Sequence, residues 1–235
     1  LIVDGVLVTQ IENDSQSLAL GIDLSDGSNI WSMARPKGAN WTSPIPFERS
    51  SKPSIALQSS KGIHLVDVHT GATLSEYLDG ASTIPSSVLF GSTLLSPSHG
   101  ISALDLSSQQ SELPMLWRSR ALSPATASPM VMDNAVFVVN NAGVLTRGSL
   151  EGGRREWQLR LKGPFSASAV GFGTIQYWVN EKGLLQVVDV KPEEGAILSQ
   201  LELGQTVLGT PSIANGALYL RSDNTLWKIG NPPIL

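Results

Sequence analysis

Short apolar segments separated by Gly, Asn, Asp and Pro residues recur along the whole chain. The clearest copy spans residues 128–159, where four apolar runs are separated by the turn sequences Asp-Asn, Asn-Asn-Ala-Gly and Glu-Gly-Gly. Apolar runs of this length between turn residues predict β-strands joined in hairpins. Each copy therefore predicts four antiparallel strands, the last of which carries Trp157.

One position at the end of the third strand can be followed through every copy. We place it at Asp23, Asp67, Asp105, Ser149, Asp189 and Ile229. The mean interval of about 41 residues is typical of a four-stranded β-propeller blade. An Asp at this position can accept hydrogen bonds from the amides of the turn that follows.

Two further markers keep the same phase. The turn glycines are Gly27, Gly71, Gly153 and Gly195, and we expect them to supply a positive φ. The fourth-strand tryptophans are Trp31, Trp117 and Trp157, with aliphatic residues in their place near Leu74 and Leu198. We expect each tryptophan to be largely buried in the widening space between neighbouring blades.

Small residues or prolines are expected to open the first strand of each blade, where the propeller hub is crowded. They are Pro53-Ser54, Pro85-Ser86, Ser128-Pro129, Ser168-Ala169 and Thr210-Pro211. A β-sandwich with similar turn spacing is the alternative, but it has no reason to repeat Asp, Gly and Trp in one phase. The predicted fold is all-β, a β-propeller of four-stranded antiparallel blades.

Residues 21–31, GIDLSDGSNIW, resemble the repeat of the PQQ-like (quinoprotein-like) propeller family, Ala-x-Asp-x-x-x-Gly-x-x-x-Trp. Residues 65–71 match its first half, and residues 187–195 match with a longer turn. The repeats are placed near 1–34, 41–78, 85–119, 128–161, 166–203 and 208–230, within one domain, 1–235. Five blades and three strands of a sixth are expected, and the resemblance implies part of a seven- or eight-bladed ring. With no initial Met, the chain is interpreted as a piece of a longer protein.

The composition of the chain excludes several classes of function. Charged residues make up 15% of the chain and the net charge is −4, so no basic face for nucleic acid is expected. There is no apolar run long enough to span a membrane as a helix. There are no cysteines, which excludes disulfides and a cysteine nucleophile.

Neither catalysis nor cofactor binding is expected of this chain. The resemblance includes PQQ-dependent dehydrogenases, whose quinone lies between a Trp and a vicinal Cys pair, but this chain has no Cys. The histidines are His64, His69 and His99, and the first two are five residues apart, on opposite faces of a strand. We therefore expect no enzyme activity, no cofactor, no metal site and no catalytic residue.

Trp41 is the candidate interaction residue. It lies outside the phased tryptophan position, in a Pro-rich connection, residues 35–53, that is not predicted as a strand. Long loops in β domains are often functional, and tryptophan is enriched at binding hot spots. The alternative is that Trp41 packs against a blade edge.

The resemblance implies one main function and one alternative. The family includes the outer-membrane assembly protein BamB and sensor domains of bacterial kinases, which implies a non-catalytic protein-interaction or scaffolding propeller. The partner would be another protein and the location extracytoplasmic, in the periplasm or cell envelope. The alternative is a degenerate quinoprotein domain that binds PQQ or another small ligand.

Overall fold

The computed structural model describes residues 1–230, in which every regular element is a β-strand. The Pro-rich tail, residues 231–235, which is not predicted as the fourth strand of the sixth blade, lies outside the described residues. No helix that could span a membrane occurs in the described part of the chain. The chain divides into two compact units, unit 1 (Leu1–Arg120) and unit 2 (Ala121–Leu235).

Unit 1 contains three antiparallel sheets of four strands, each with its strands in sequence order. Blade 1 comprises β1 (Ile2–Val3), β2 (Val6–Ile11), β3 (Leu18–Asp23) and β4 (Asn29–Ala34). Blade 2 comprises β5 (Ile45–Arg49), β6 (Lys52–Ser59), β7 (Gly62–Asp67) and β8 (Thr73–Tyr77). Blade 3 comprises β9 (Val88–Phe90), β10 (Thr93–Pro97), β11 (Ile101–Asp105) and β12 (Met115–Ser119).

Unit 2 repeats the arrangement. Blade 4 comprises β13 (Met130–Met132), β14 (Ala135–Val139), β15 (Val144–Ser149) and β16 (Arg155–Arg160). Blade 5 comprises β17 (Val170–Phe172), β18 (Ile175–Val179), β19 (Leu184–Val190) and β20 (Gly195–Glu202). Blade 6 comprises β21 (Ser212–Ala214), β22 (Ala217–Arg221) and β23 (Leu226–Gly230). These sheets confirm the predicted all-β fold of propeller blades.

The Asp turns form as predicted. The Asp23 carboxylate accepts hydrogen bonds from the hydroxyl and the amide of Ser25, and both bonds lower the pKa of Asp23. The Asp67 carboxylate likewise accepts from the amides of His69 and Thr70. In blade 6, the residue paired with the start of the second strand is Gly230, so Gly230 and not Ile229 is the counterpart of Asp189.

The register also corrects the tryptophan position. In each complete blade a bulge interrupts the pairing of the third and fourth strands two residues before the Asp position, as between Gly21 and Ile22. The fourth-strand residues paired just before these bulges are Trp31, Ser75, Trp117, Trp157 and Ser199. The counterparts of the tryptophans are therefore Ser75 and Ser199, not Leu74 and Leu198.

Two other expectations were wrong. The connection expected over residues 35–53 contains β5 and the start of β6. Pro53-Ser54 consequently lies inside the second strand of blade 2, and Ser43-Pro44 is the pair that opens its first strand. The prolines misled the prediction because the first strand of a blade lies at a sheet edge, where Pro46 is tolerated.

The core lies between neighbouring blades of each unit. Trp31 is buried among apolar side chains of blades 1 and 2 and donates a hydrogen bond from Nε1 to the carbonyl of Val68, 2.7 Å away. Trp157 is half-buried between blades 4 and 5 and donates to the carbonyl of Lys191, 3.0 Å away. Trp117 lies in β12 and is also half-buried, so Trp31 is the most deeply buried of the three phased tryptophans.

Candidate functional site

Trp41 lies in the connection between β4 and β5, and 68% of its surface is exposed to solvent. By contrast, Trp178 in β18, which also lies outside the phased position, is fully buried. The backbone around Trp41 is nevertheless well held, because its amide donates a hydrogen bond to the carbonyl of Thr83, 2.8 Å away. The structure thus places the side chain on the surface of unit 1 and fixes its backbone.

Both sequence neighbours of Trp41 are anchored. The Asn40 side chain donates hydrogen bonds of 2.8 Å to the Glu12 carboxylate and to the carbonyl of Gln58. The side-chain oxygen of Asn40 accepts hydrogen bonds from the backbone amide and the hydroxyl of Thr42, at 3.1 and 2.8 Å. Asn40 and Thr42 therefore close a tight turn whose tip is the Trp41 side chain.

A buried ion pair supports this turn. Arg35 Nε lies 2.8 Å from Glu12 Oε1, and their side chains are 1% and 2% exposed. Arg35 also donates to the carbonyl of Gln58, 3.1 Å away. The remaining Glu12 oxygen accepts from Asn40, so both carboxylate oxygens are paired. Such a pair adds little net stability but is costly to break, which favours one arrangement of the loop.

Gln58 extends the network to the next connection, residues 78–87. Its side-chain amide donates to the carbonyls of Ser82 and Pro85, at 2.6 and 3.0 Å. Its side-chain oxygen accepts from the amide and the hydroxyl of Ser87, at 2.8 and 2.7 Å. The connection also carries Ile84, which is exposed next to Thr83. Trp41 and Ile84 are therefore two exposed apolar side chains on loops fixed by one network.

The residues that open the first strands form a repeated contact between blades. In unit 1 the amide of Ser43 donates to the hydroxyl of Ser86, 3.0 Å away. In unit 2 the amide of Ser128 donates to the hydroxyl of Ser168, and that of Ser168 to the hydroxyl of Thr210, at 2.9 and 3.2 Å. The predicted small residues thus have a specific role, because their hydroxyls satisfy the amides of the preceding blade.

The three histidines do not come together around one possible metal site. Each lies beside a different carboxylate: His64 is 3.3 Å from Glu76, His69 is 2.9 Å from Asp4, and His99 is 3.6 Å from Asp79. Burial, assisted by the charge of Arg35, lowers the pKa of His64 below its usual 6.5, against the opposing effect of Glu76. No group of three or more potential metal ligands occurs among residues 1–230.

Comparison with solved structures identifies the type of fold. No protein-family model matches the sequence, and no curated protein matches it. Among solved structures, BamB from Moraxella catarrhalis has a TM-score of 0.75 and 17% identity over 97% of this chain and 67% of that chain. The fold is that of a BamB-like β-propeller. The computationally designed Ika8 protein is also similar, with a TM-score of 0.59 and 12% identity over 98% of this chain and 81% of that chain.

The similarity to BamB confirms the predicted structural resemblance. At these identities a common fold does not determine what either protein binds. In this BamB-like propeller the candidate site therefore consists of Trp41 and its supporting network. The sequence identified Trp41 by its position outside the repeat, but it gave no signal for the contacts of Glu12 and Gln58.

Proposed function

We propose that this BamB-like propeller is a non-catalytic protein-interaction or scaffolding module, in which Trp41 is an anchor for a partner polypeptide. The observation that carries the proposal is the exposure of Trp41, at 68%, on a turn whose flanking side chains are held by buried groups. An anchor that is rigid before binding loses little conformational entropy on association. Tryptophan combines a large apolar surface with few rotatable bonds, which is typical of hot spots.

The neighbouring loop supports the same interpretation. Ile84 is exposed beside Thr83, whose carbonyl accepts the Trp41 amide, so a partner that covers one side chain can reach the other. The carboxylate and guanidinium beneath the loop are neutralised by each other, which leaves an apolar tip for recognition. A partner with a complementary apolar pocket and a polar rim fits this surface.

The resemblance to BamB supports a location outside the cytoplasm, in the periplasm or cell envelope, and a scaffolding or sensor role in a larger assembly. It also supports the proposal that residues 1–235 act as one propeller domain or a part of one. Both proposals concern the setting of the interaction, and neither is needed for the test of Trp41.

The experiment places a photo-crosslinking amino acid at position 41 and, as a control, at position 116. Leu116 is an exposed apolar residue of β12, outside the Trp41 network. A protein crosslinked from position 41 is then purified and its affinity is measured for the wild type, Trp41→Ala and Leu116→Ala. We expect Trp41→Ala to weaken binding by about tenfold or more, as for a hot-spot residue, and Leu116→Ala to leave it unchanged. Equal affinities for all three proteins would overturn the proposal.

A further inference from the structure

An apolar pocket of about 600 Å³ opens between blades 5 and 6 of unit 2. Tyr177 and Leu185 line it from blade 5, Leu218 and Ile213 line it from blade 6, and Ser199 lies on its blade 5 side. None of its lining residues is charged. A pocket with this lining selects an apolar group.

The strand register explains why the pocket is open. Ser199 is paired with Val187 just before the β20 bulge, as Trp157 is paired with Arg147 just before the β16 bulge. Trp157 fills the space between blades 4 and 5, with its ring 6.0 Å from that of Phe137. The pocket beside Ser199 therefore corresponds to a space that holds an indole one blade earlier.

The other serine at this position is compensated within the chain. Ser75 of blade 2 donates a hydrogen bond to the carbonyl of Gln110, in the long connection between β11 and β12. Leu113 of that connection donates from its amide to the carbonyl of Glu76, 2.7 Å away, and is buried in the core of blades 2 and 3. Within residues 1–230 no inserted side chain fills the pocket beside Ser199 in this way.

We propose that this pocket receives a tryptophan side chain of a partner polypeptide, in the place that Trp157 occupies one blade earlier. The rim favours a polypeptide over a free aromatic molecule. Phe172 is 82% exposed at the edge of the pocket, and Leu201 and Ile213 are also exposed. An indole alone would leave these rim side chains in water, whereas residues flanking a partner's tryptophan would cover them.

The inference rests on the proposed function only in that the occupant is a polypeptide. Trp41 belongs to unit 1 and the pocket to unit 2, so each site is tested by its own variants. The probe is N-acetyl-tryptophanamide, titrated against the protein while the methyl resonances of Leu185, Leu201 and Ile213 are followed by NMR. We expect these resonances to shift saturably as the probe is added. The same shifts should be seen in Trp41→Ala, because Trp41 is not part of this pocket.

Two variants on one strand provide the matched comparison. Leu201→Lys places a charge on the pocket rim, while Leu198→Lys places the same charge at an exposed position of β20 outside the pocket. We expect Leu201→Lys to weaken binding of the probe at least about tenfold, because the ammonium group must be desolvated, and Leu198→Lys to leave it unchanged. No saturable shifts in the wild type, or equal binding by both variants, would overturn the inference.

A second comparison fills the pocket from within the chain. We expect Ser199→Trp to raise the melting temperature and to abolish binding of the probe. The control, Ser75→Trp, should lower the melting temperature because Ser75 is already fully buried against the connection that carries Leu113. Unchanged probe binding by folded Ser199→Trp would also overturn the inference. If this variant does not fold, the comparison of Leu201→Lys with Leu198→Lys decides.

A third comparison tests whether the occupant is a polypeptide. A peptide with a central tryptophan should bind more tightly than the probe. Tighter binding of free indole than of the peptide would overturn the choice of a polypeptide.

Discussion

The indole ring of Trp157 lies against Gly195 of the next blade so closely that a Cβ on Gly195 would come within 2.7 Å of it. Trp31 and Gly71 have the same relationship, with a distance of 2.6 Å. Gly71 also has a positive φ of 68°, as expected of a turn glycine, whereas Gly195 does not have a positive φ. The repeated Trp and Gly are therefore the two sides of one contact between blades, and Gly195 is required for space.

Replacing Gly195 with Ala should lower the free energy of unfolding by about 1–3 kcal/mol, the usual cost of overpacking. Gly209→Ala is the control, because a Cβ there would meet no atom within 4 Å and the residue has no positive φ. Urea denaturation of both variants measures the difference. In a Trp157→Ala background the cost of Gly195→Ala should disappear, and a cost that persists there would show that the ring is not its cause.

The tryptophans should separate into structural and interaction residues. Trp31→Ala should lower the free energy of unfolding by about 3–5 kcal/mol, because a buried aromatic ring is lost. Trp41→Ala should change it by less than about 0.5 kcal/mol, as expected for an exposed residue. Chemical denaturation of the two variants makes the comparison. Equal destabilisation would mean that Trp41 supports the fold and is not free to bind a partner.

The buried pair beneath Trp41 should be sensitive to the loss of one charge. Glu12→Gln removes the negative charge that compensates the buried guanidinium of Arg35 and should cost about 3–5 kcal/mol. Lys191→Ala is the control, since the Lys191 ammonium that pairs with Asp189 is exposed to solvent and its loss should cost much less than that of Glu12. Thermal and urea unfolding would report both. A negligible cost for Glu12→Gln would contradict the role of this pair in holding the loop.

His64 should make stability depend on pH. Because burial lowers the pKa of His64 in the folded state below its usual 6.5, the unfolded chain binds the proton more readily. The contribution is fully present above pH 6.5 and is lost as the pH falls below 6.5 towards the lowered pKa of the folded state. The slope from one group is at most about 1.4 kcal/mol per pH unit.

The measurement is the difference in unfolding free energy between pH 7.5 and pH 5.5. We expect His64→Gln to show a smaller decline than the wild type, and the control His99→Gln to keep the wild-type decline, because the His99 side chain is 53% exposed. A decline of the same size in His64→Gln and the wild type would show that other groups are responsible.

The sequence by itself determined the type of fold and the phase of the repeat. Turns such as that at Asp23 are local, since the carboxylate bonds to the amides of the next few residues, and local chemistry is visible in a single sequence. The phased Trp31 and Trp157 could be recognised for the same reason, because their spacing from the Asp position hardly varies. Trp41 could be singled out because it lies outside that spacing.

The tertiary structure decided the features that depend on contacts between distant strands. The bulges shift the fourth strand by one residue, which places Ser75 and Ser199, and not Leu74 and Leu198, at the tryptophan position. Whether such a serine leaves a pocket depends on a segment far away in sequence, such as the one that carries Leu113. The exposure of Trp41 likewise follows from bonds made by Asn40 to residues 28 and 18 positions away. Pairings over such separations leave no periodic mark in the sequence, because their energy comes from packing and hydrogen bonds formed only in the folded chain.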